Sequence, residues 1–563
     1  MSDLNISQKN IYTIFTERGS KFLIPDYQRP YSWGKDECET LWEDLKNFAF
    51  PEEEEFNEEN DEYFLGTIVT YKNEYKENEV IDGQQRLMTL FLLFRAYYEE
   101  FKDKNDDNAK EIAKCLWGKK NEITNYKIKS EVATDDDTAE FNKIISTGAA
   151  TKGNKSNYAE NFRYFQKQLK ELKMSEFGIF STRILENCII LPIETNSQST
   201  AFRIFTTLND RGMPLSDSDI FKSQFYKFFK SRGKDAKENF ITQWKNLETI
   251  CNDNFHPRTG TPIDDLFMKY MYYLLAKSGT KSDTFPGLRV YYEKNNYSVL
   301  RSEKVFEDLI TLANFWNDIA NRNERKFSPR VLKRLFVLSY CPYSLWENIV
   351  SLYFMSNKDN WNDEKFYKFL QKITAMFLMQ AIVQPGVQSV RRPFFVEFQN
   401  IFHDNELKFE QFKQTKDFFK TQFFNMKFSN TKPITRAMLV WWIFQNESQE
   451  LPPLDTKLEI EHIYAKKLVE TKPLENMANL ELLGNKSMLE KRINVYASNL
   501  PFANKKIYYT GKIKKKNTMP TFNLELLKLS NEKNNFTEND ILERNEQIFE
   551  GLTSYLQQNN LLR

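Results

Sequence analysis

Histidine and cysteine are scarce in this chain: there are three histidines and five cysteines among 563 residues. The cysteines (Cys38, Cys115, Cys188, Cys251 and Cys341) are scattered, odd in number, and never form a C-x-x-C pair. This excludes a zinc-finger array and argues against a disulfide framework, so a reducing compartment is expected. Any histidine chemistry must use His256, His403 or His462. No G-x-x-x-x-G-K-[ST] sequence occurs, which excludes an ordinary P-loop NTPase. Long apolar runs are also missing. The most apolar short stretch, Leu87–Phe94, is too short to span a bilayer, and the first ten residues lack the basic start and apolar run of a signal peptide. A cytoplasmic protein is therefore expected. Charge of one sign is lacking too: Lys+Arg 79 against Asp+Glu 78 leaves a net charge of +1, which excludes a uniformly basic chain but not local patches.

The composition that remains, 40% hydrophobic and 28% charged, is that of a globular protein. At roughly 150 residues per domain, its length suggests three to four domains. Tyr63–Tyr71 is rich in β-branched and aromatic residues and reads as a strand, and Glu79–Ile81 reads as a second. Leu87, Leu90, Phe91, Phe94, Tyr98 and Phe101 follow at three- and four-residue spacing and predict a helix with one apolar face. The acidic stretch from Pro51 to Glu62 reads as a solvated loop. Residues 102–175 are polar with patchy helical periodicity and read as a helical insertion, after which Cys188–Thr195 resumes the strand pattern. Ser216 or Ser218 is placed to cap a helix. From about 230 to 450, amphipathic helical patterns with many aromatics predominate, and the aromatic stripe reads as core.

The last region changes character. Lys457–Glu461 alternates polar and apolar and predicts a half-buried strand ending near His462. Ser487-Met-Leu-Glu490 matches a capping box and predicts that a helix begins there. His462, Asn485 and Asn494 supply the parts that hydrolysis of a phosphodiester with one divalent ion needs. An imidazole is a suitable base, while Glu461 and the Asn494 amide oxygen are hard ligands for Mg²⁺ or Mn²⁺. Asn485 can brace the loop through backbone groups. In a regular strand, Glu461 and His462 point to opposite faces, so they share a site only if the strand ends or twists there. The same residues also fit a partly exposed histidine closing a strand. Lys486, Lys491, Arg492, Lys505, Lys506, Lys512 and Lys514–Lys516, interleaved with Tyr496, Phe502, Tyr508 and Tyr509, suit contact with phosphates or a solvated loop.

At the other end, Ile24-Pro-Asp-Tyr27-Gln28-Arg29-Pro-Tyr31-Ser-Trp33 is dense in stacking faces and oriented donors. Asp82-Gly83-Gln84-Gln85-Arg86 lies at a strand-to-helix turn, where a helix N-terminus and an arginine can face a phosphate. A recognition loop that only plugs the core and a plain capped helix fit these segments as well.

Taken together, the motifs resemble a known family. Glu461-His462-Ile-Tyr, Asn479-Leu-Glu-Leu-Leu-Gly-Asn485, Leu489-Glu-Lys-Arg-Ile-Asn494 and Phe502-Ala-Asn-Lys505-Lys506 look like the HNH (ββα-metal) nuclease domain at the C-terminus of GmrSD-type modification-dependent restriction enzymes. The family commonly shows a proline shortly after the histidine, and Ala465 stands there in this chain. The Ile24–Trp33 segment, Phe64-Leu-Gly66, Asp82–Arg86, and Phe205-x-x-Leu-Asn209-Asp-Arg211-Gly212 with Leu215 and Asp219 resemble the same family's N-terminal domain, which is similar to the ParB/sulfiredoxin fold.

The resemblance implies that His462, Asn485 and Asn494 are catalytic, with Glu461 and Asn494 holding a divalent metal. It also implies a nucleoside triphosphate site at Asp82, Gly83, Gln84, Gln85, Arg86, Asn209 and Arg211. Tyr27, Gln28 and Arg29 are then candidates for sensing modified DNA, and Lys491, Arg492, Lys505 and Lys506 for contacting it. The expected protein is a multidomain α+β chain, mostly helical. Its expected domains are a nucleotide-binding domain at 1–225, a helical domain at 226–450 and a nuclease domain at 451–563. The expected activity is cleavage of modified phage DNA coupled to NTP hydrolysis, with homo-oligomerisation open. The alternative from another class is a nucleotide-sensing, DNA-binding regulator whose C-terminal domain does not cleave.

Overall fold

Runs of β-branched and aromatic residues build a mixed sheet in the N-terminal half, and short polar breaks release it into helices. The computed structural model describes residues 5–25, 28–51, 56–57, 61–73, 75–104, 107–120, 123–132, 137–173, 175–196, 200–201, 204, 216–257, 259–280, 286–512 and 519–563. The chain is mostly helical and divides into two compact units, residues 1–246 and 247–563. Residues 451–563, expected as a separate domain, lie in the same unit as the helices that precede them.

In the first unit, the strands are β1 (Asn5–Ile6), β2 (Lys9–Asn10), β3 (Phe22–Ile24), β4 (Tyr63–Lys72), β5 (Asn78–Asp82), β6 (Trp117–Lys120), β7 (Ile123–Tyr126), β8 (Ile128–Ser130) and β9 (Cys188–Thr195). The main sheet runs β1-β9-β4-β5-β3-β8, with β2 also on β9, and β6 and β7 form a separate hairpin. β4 lies parallel to β9 and antiparallel to β5, and β5 is parallel to β3. The order brings the end of β5, with Asp82, into the middle of the sheet.

The helix Gln84–Phe101 is the centre of this unit. One apolar face was expected, but every residue from Leu87 to Tyr97 is buried. Such a helix is wrapped on all sides rather than laid on a surface. The residues expected as an insertion contribute to the same core: Ala109, Ile112, Leu116, Ile128, Phe141, Ile144, Tyr158 and Phe162 cluster with Leu87, Phe91 and Phe94. Strand β8 extends the main sheet, so residues 102–175 are part of the domain rather than an appendage to it. The expected Ser216 cap is present, in a reciprocal capping box with Asp219. Most of the acidic stretch (52–55 and 58–60) and residues 205–215 lie outside the described residues.

The second unit is built of amphipathic and fully buried helices, including Pro262–Lys277, Asp363–Val383, Pro433–Ile443 and Glu538–Gln558. Its only strands among the described residues are β10 (Leu458–His462) and β11 (Lys486–Glu490), an antiparallel hairpin that pairs His462 with Lys486. The helix Lys491–Ala497 follows directly. The expected Ser487 capping box is not formed: Ser487 lies in β11 opposite Glu461, and Glu490 makes no side-chain cap. Three neighbours favour the strand over a helix start. Asn523 Nδ2 donates to Ser487 Oγ and to the Met488 carbonyl, both at 2.9 Å. Glu490 accepts from Thr521 Oγ1 at 2.6 Å and from the Phe522 N–H at 2.7 Å. Among the described residues no helix is long and apolar enough to cross a membrane.

Gly66 shows how the sheet makes room for a side chain. It sits at a register shift between β4 and β9 with φ +110°, and a Cβ there would meet Arg86 Nη1 at 2.8 Å. Gly66→Ala should therefore strain the backbone and displace the guanidinium, costing about 1–3 kcal/mol in urea unfolding. Unchanged stability would refute this packing.

Candidate active site

His462 ends β10, and the regular ladder to Lys486 continues through it. Strand alternation therefore sends Glu461 and His462 to opposite faces. Glu461 is 3% exposed and points to the helix Phe502–Tyr509. There Lys505 Nζ donates to Glu461 Oε1 at 2.6 Å and to the His462 carbonyl at 2.6 Å, and Tyr509 OH donates to the same Oε1 at 2.5 Å. Burial pushes the Glu461 carboxyl up and the Lys505 ammonium down, and their contact opposes both shifts.

His462 faces the other way. Its Nε2 is buried without a hydrogen-bond partner, 3.8 Å from Glu481 Oε1. Lys466 Nζ lies 2.6 Å from that oxygen, and Lys486 Nζ lies 2.6 Å from Glu481 Oε2. Lys486 is itself fully buried and also donates to the Phe428 carbonyl at 2.7 Å. Burial, and then the charges of Lys486 and Lys466, lower the His462 pKa to about 4, so the imidazole is neutral at pH 7. Burial alone would raise Glu481, but hydrogen bonds from Lys466 and Lys486 hold it down at about 2.

The loop beside His462 is closed by Asn485. Its Oδ1 accepts from the Tyr464 N–H at 2.7 Å, and its Nδ2 donates to the carbonyls of Leu480 and Tyr464 at 2.9 and 3.2 Å. Ala465, where the family has proline, adopts φ −67° and ψ 138°, a conformation proline itself favours. The loop thus keeps a proline-compatible course without the ring.

The expected metal ligands do not converge. Glu461 is taken up by Lys505 and Tyr509, while Asn494 Nδ2 donates to Glu459 Oε2 at 2.9 Å. Among the described residues no group of three or more His, Cys, Asp or Glu side chains is placed to hold an ion. As placed, Glu461 and Asn494 do not fit a joint ligand set for a divalent cation.

The expected DNA contacts divide. Lys491 and Arg492 are exposed on the first turn after the hairpin. Lys505, expected to meet phosphates, is instead buried in its ion pair, because Glu461 and the His462 carbonyl use its donors. Lys506 is half-buried, and its Nζ donates to the Lys533 carbonyl at 3.0 Å. Lys514–Lys516 lie outside the described residues.

In the first unit, Asp82 ends β5 and the Gln84–Phe101 helix starts two residues later. Burial raises the Asp82 carboxyl, opposed by the Gly83 N–H and by the charges of Arg86 and Arg29. Asp219 is also raised by burial and also lies within the field of Arg29. Arg86 Nη1 donates to the Thr67 carbonyl at 3.2 Å. The three glutamines expected to meet ligand or DNA brace the chain instead. Gln28 is 3% exposed and donates to the Val80 carbonyl at 3.0 Å. Gln84 donates to the Arg29 carbonyl at 2.8 Å, and Gln85 Oε1 accepts from the Ser32 N–H at 2.8 Å. Gln84 and Gln85 meet backbone groups of residues 29–33, while Gln28 ties the same segment to the end of β5, which a loop running beside a helix start needs for its backbone groups. Tyr27, Asn209 and Arg211 lie outside the described residues.

Sequence reasoning missed Glu481, Lys466 and Arg544. Glu481 carries a signal in retrospect, as the one charged residue inside the apolar run Leu480–Leu483. Arg544, 82 positions beyond His462, carries none.

Comparison with known proteins matches two family models. The model for the GmrSD restriction endonuclease N-terminal domain covers residues 11–226, and the model for the GmrSD restriction endonuclease C-terminal domain covers residues 413–550. An uncharacterized protein of Methanocaldococcus jannaschii, MJ0686, is 26% identical over 246 residues, 39% of this chain. The chain spans about two fifths (42%) of that relative's length.

The Lys505–Glu461 contact makes a measurable claim. Glu461→Gln or Lys505→Met alone leaves a buried charge unpaired and should cost about 3–5 kcal/mol in chemical denaturation, whereas the double variant should lose clearly less than the sum of the two. Additive losses would show that the two groups do not interact.

Proposed function

The chain belongs to the GmrSD restriction endonuclease family, whose domains match it at both ends, and from that premise we propose that it hydrolyses phosphodiester bonds of modified phage DNA in defence, with His462 as general base. One observation carries this reading: the His462 Nε2 at the end of the hairpin is buried, neutral and without a hydrogen-bond partner. A side chain serving only as a strand end gains nothing from an unsatisfied buried nitrogen, which costs free energy until a ligand or water meets it. Asn485 fixes the loop, and the hairpin followed by the Lys491–Ala497 helix supports the reading by running in the β-β-α order an HNH domain would have. Exposed Lys491 and Arg492 lie at the start of that helix, where they are available to phosphates.

The first unit, in this reading, binds and hydrolyses a nucleoside triphosphate at the Asp82 turn. Its support is the gathering of Asp82, Arg86 and Arg29 at a helix start, where backbone N–H groups and arginines favour a phosphate. Gln84 and Gln85 shape this turn by holding the 29–33 segment, rather than by offering their amides to the nucleotide.

His462→Ala should abolish nicking of phage DNA in Mg²⁺- or Mn²⁺-containing buffer while leaving DNA binding intact. Cleavage at the wild-type rate would overturn the assignment. A base works only when unprotonated, so kcat/KM should rise with pH through about 4, the value to which His462 is lowered, and stay flat through the ordinary histidine range. An acid limb near 6.5 would contradict the buried setting. Separately, Asp82→Ala and Arg86→Ala should each abolish nucleotide turnover with unchanged circular dichroism, and full turnover in both would refute the nucleotide site.

A further inference from the structure

The cluster around His462 contains more than a base. Glu481 stands at the boundary between interior and solvent: its side chain is 44% exposed, against 10% for His462 and none for Lys486. Its two oxygens are divided. Oε2 is fixed by buried Lys486 at 2.6 Å, while Oε1 faces both the unpartnered His462 Nε2 at 3.8 Å and the Lys466 ammonium at 2.6 Å. A separation of 3.8 Å is too long for a direct hydrogen bond and is one that a single water spans once the cover over the buried Nε2 shifts. Lys466 is the outermost member, 49% exposed and mounted on the short turn Lys466–Glu470 that follows Ala465.

We propose that Glu481 and Lys466 complete the hydrolytic site, with Glu481 orienting the attacking water and Lys466 holding a non-bridging oxygen of the scissile phosphate. The proposal rests on the nuclease reading above and assigns two catalytic residues to it. In the step, a water bound between His462 Nε2 and Glu481 Oε1 gives one proton to Nε2 as its oxygen bonds to phosphorus. The bond from phosphorus to the leaving sugar oxygen breaks, and that oxygen takes a proton from solvent. Glu481 accepts a hydrogen bond from the water's second hydrogen and stays ionised throughout, held so by Lys486. Lys466 exchanges its contact with Glu481 for the phosphate when DNA binds, and so is already in place as charge builds on the phosphoryl oxygens, where an oriented cation has most effect. Lys486 cannot take that role, because it is buried and both its observed contacts are internal.

The test uses the full-length chain and phage DNA, with two readouts. Nicking kinetics should show kcat reduced about 100-fold or more in Glu481→Gln, with the DNA dissociation constant within twofold of wild type. Fluorescence anisotropy across a salt series should show Lys466→Met weakening duplex binding and lowering the log–log salt slope by about 0.9, with Lys466→Arg restoring both. A purely structural role for Lys466 would leave the slope unchanged. Wild-type kcat in Glu481→Gln, or an unchanged slope in Lys466→Met, overturns the corresponding assignment. Failure of the nuclease reading looks different: the wild type and His462→Ala would then be equally inactive. The salt slope would still decide whether Lys466 touches phosphate, since that measurement needs no cleavage.

Discussion

The geometry around His462 depends on one side chain, the amide of Asn485. It spends its oxygen and nitrogen on backbone groups of residues 464 and 480, and its own carbonyl accepts from the Ile463 N–H at 2.9 Å. The strand end and the returning loop, far apart in sequence, are thereby closed into one ring. Arg544 clamps the same loop from the helix Glu538–Gln558. Its Nη1 donates to the carbonyls of Leu483, Gly484 and Lys486 at 2.9, 3.0 and 2.8 Å, and Glu525 holds the rest of the guanidinium at 2.7–2.8 Å. Gly484 permits this close approach, since a Cβ there would fall 1.9 Å from the Ile541 carbonyl oxygen. The loop that carries Asn485 and Lys486 is thus held from inside and outside by groups that satisfy its carbonyls.

Strand alternation then gives Glu461 and His462 different surroundings. One face of β10 places Glu461 in a sealed contact with Lys505 and Tyr509, and Lys505 reaches through to the His462 carbonyl. The other face presents the imidazole to Glu481, Lys466 and Lys486. Both faces bury charge, with different consequences. The Glu461 side is closed, with Oε1 taken up by Lys505 and Tyr509. The Glu481 side is half-open, and burial of the imidazole, then the charges of Lys486 and Lys466, keep it neutral.

What the sequence reveals of this arrangement follows from how local each feature is. β4 and β9 are legible because they are rich in β-branched and aromatic residues, β5 because Val80-Ile81 precedes an Asp-Gly turn, and β10 because polar and apolar residues alternate. The capping-box reading of Ser487–Glu490 fails because the competing partners, Glu461, Asn523 and Thr521, come from distant segments. The single-face reading of the Gln84–Phe101 helix fails for a related reason. Its polar positions are few, and Arg95 is buried beside Glu99 at 2.7 Å, so a charged residue on the helix does not mark a solvent face. His462 and Asn485 stand out as scarce or motif-borne residues. Lys505 is legible as a basic residue but not as a buried one, because its partner lies 44 residues away.

That last point bears on how a chain of near-zero net charge meets a polyanion. The sequence offers a crowd of C-terminal lysines, but the fold withdraws Lys505 and Lys486 into internal contacts and partly withdraws Lys506. Among the described residues from 451 onward, Lys457, Lys466, Lys467, Lys472, Lys491, Arg492, Lys512, Lys528 and Arg563 remain exposed. Each phosphate contact adds a roughly fixed increment to the salt dependence, so the exposed cations that meet a phosphate, and not the net charge, set the electrostatic affinity. Contacts between lysine or arginine and phosphate carry no information about the bases, so any discrimination among DNAs comes from contacts beyond charge.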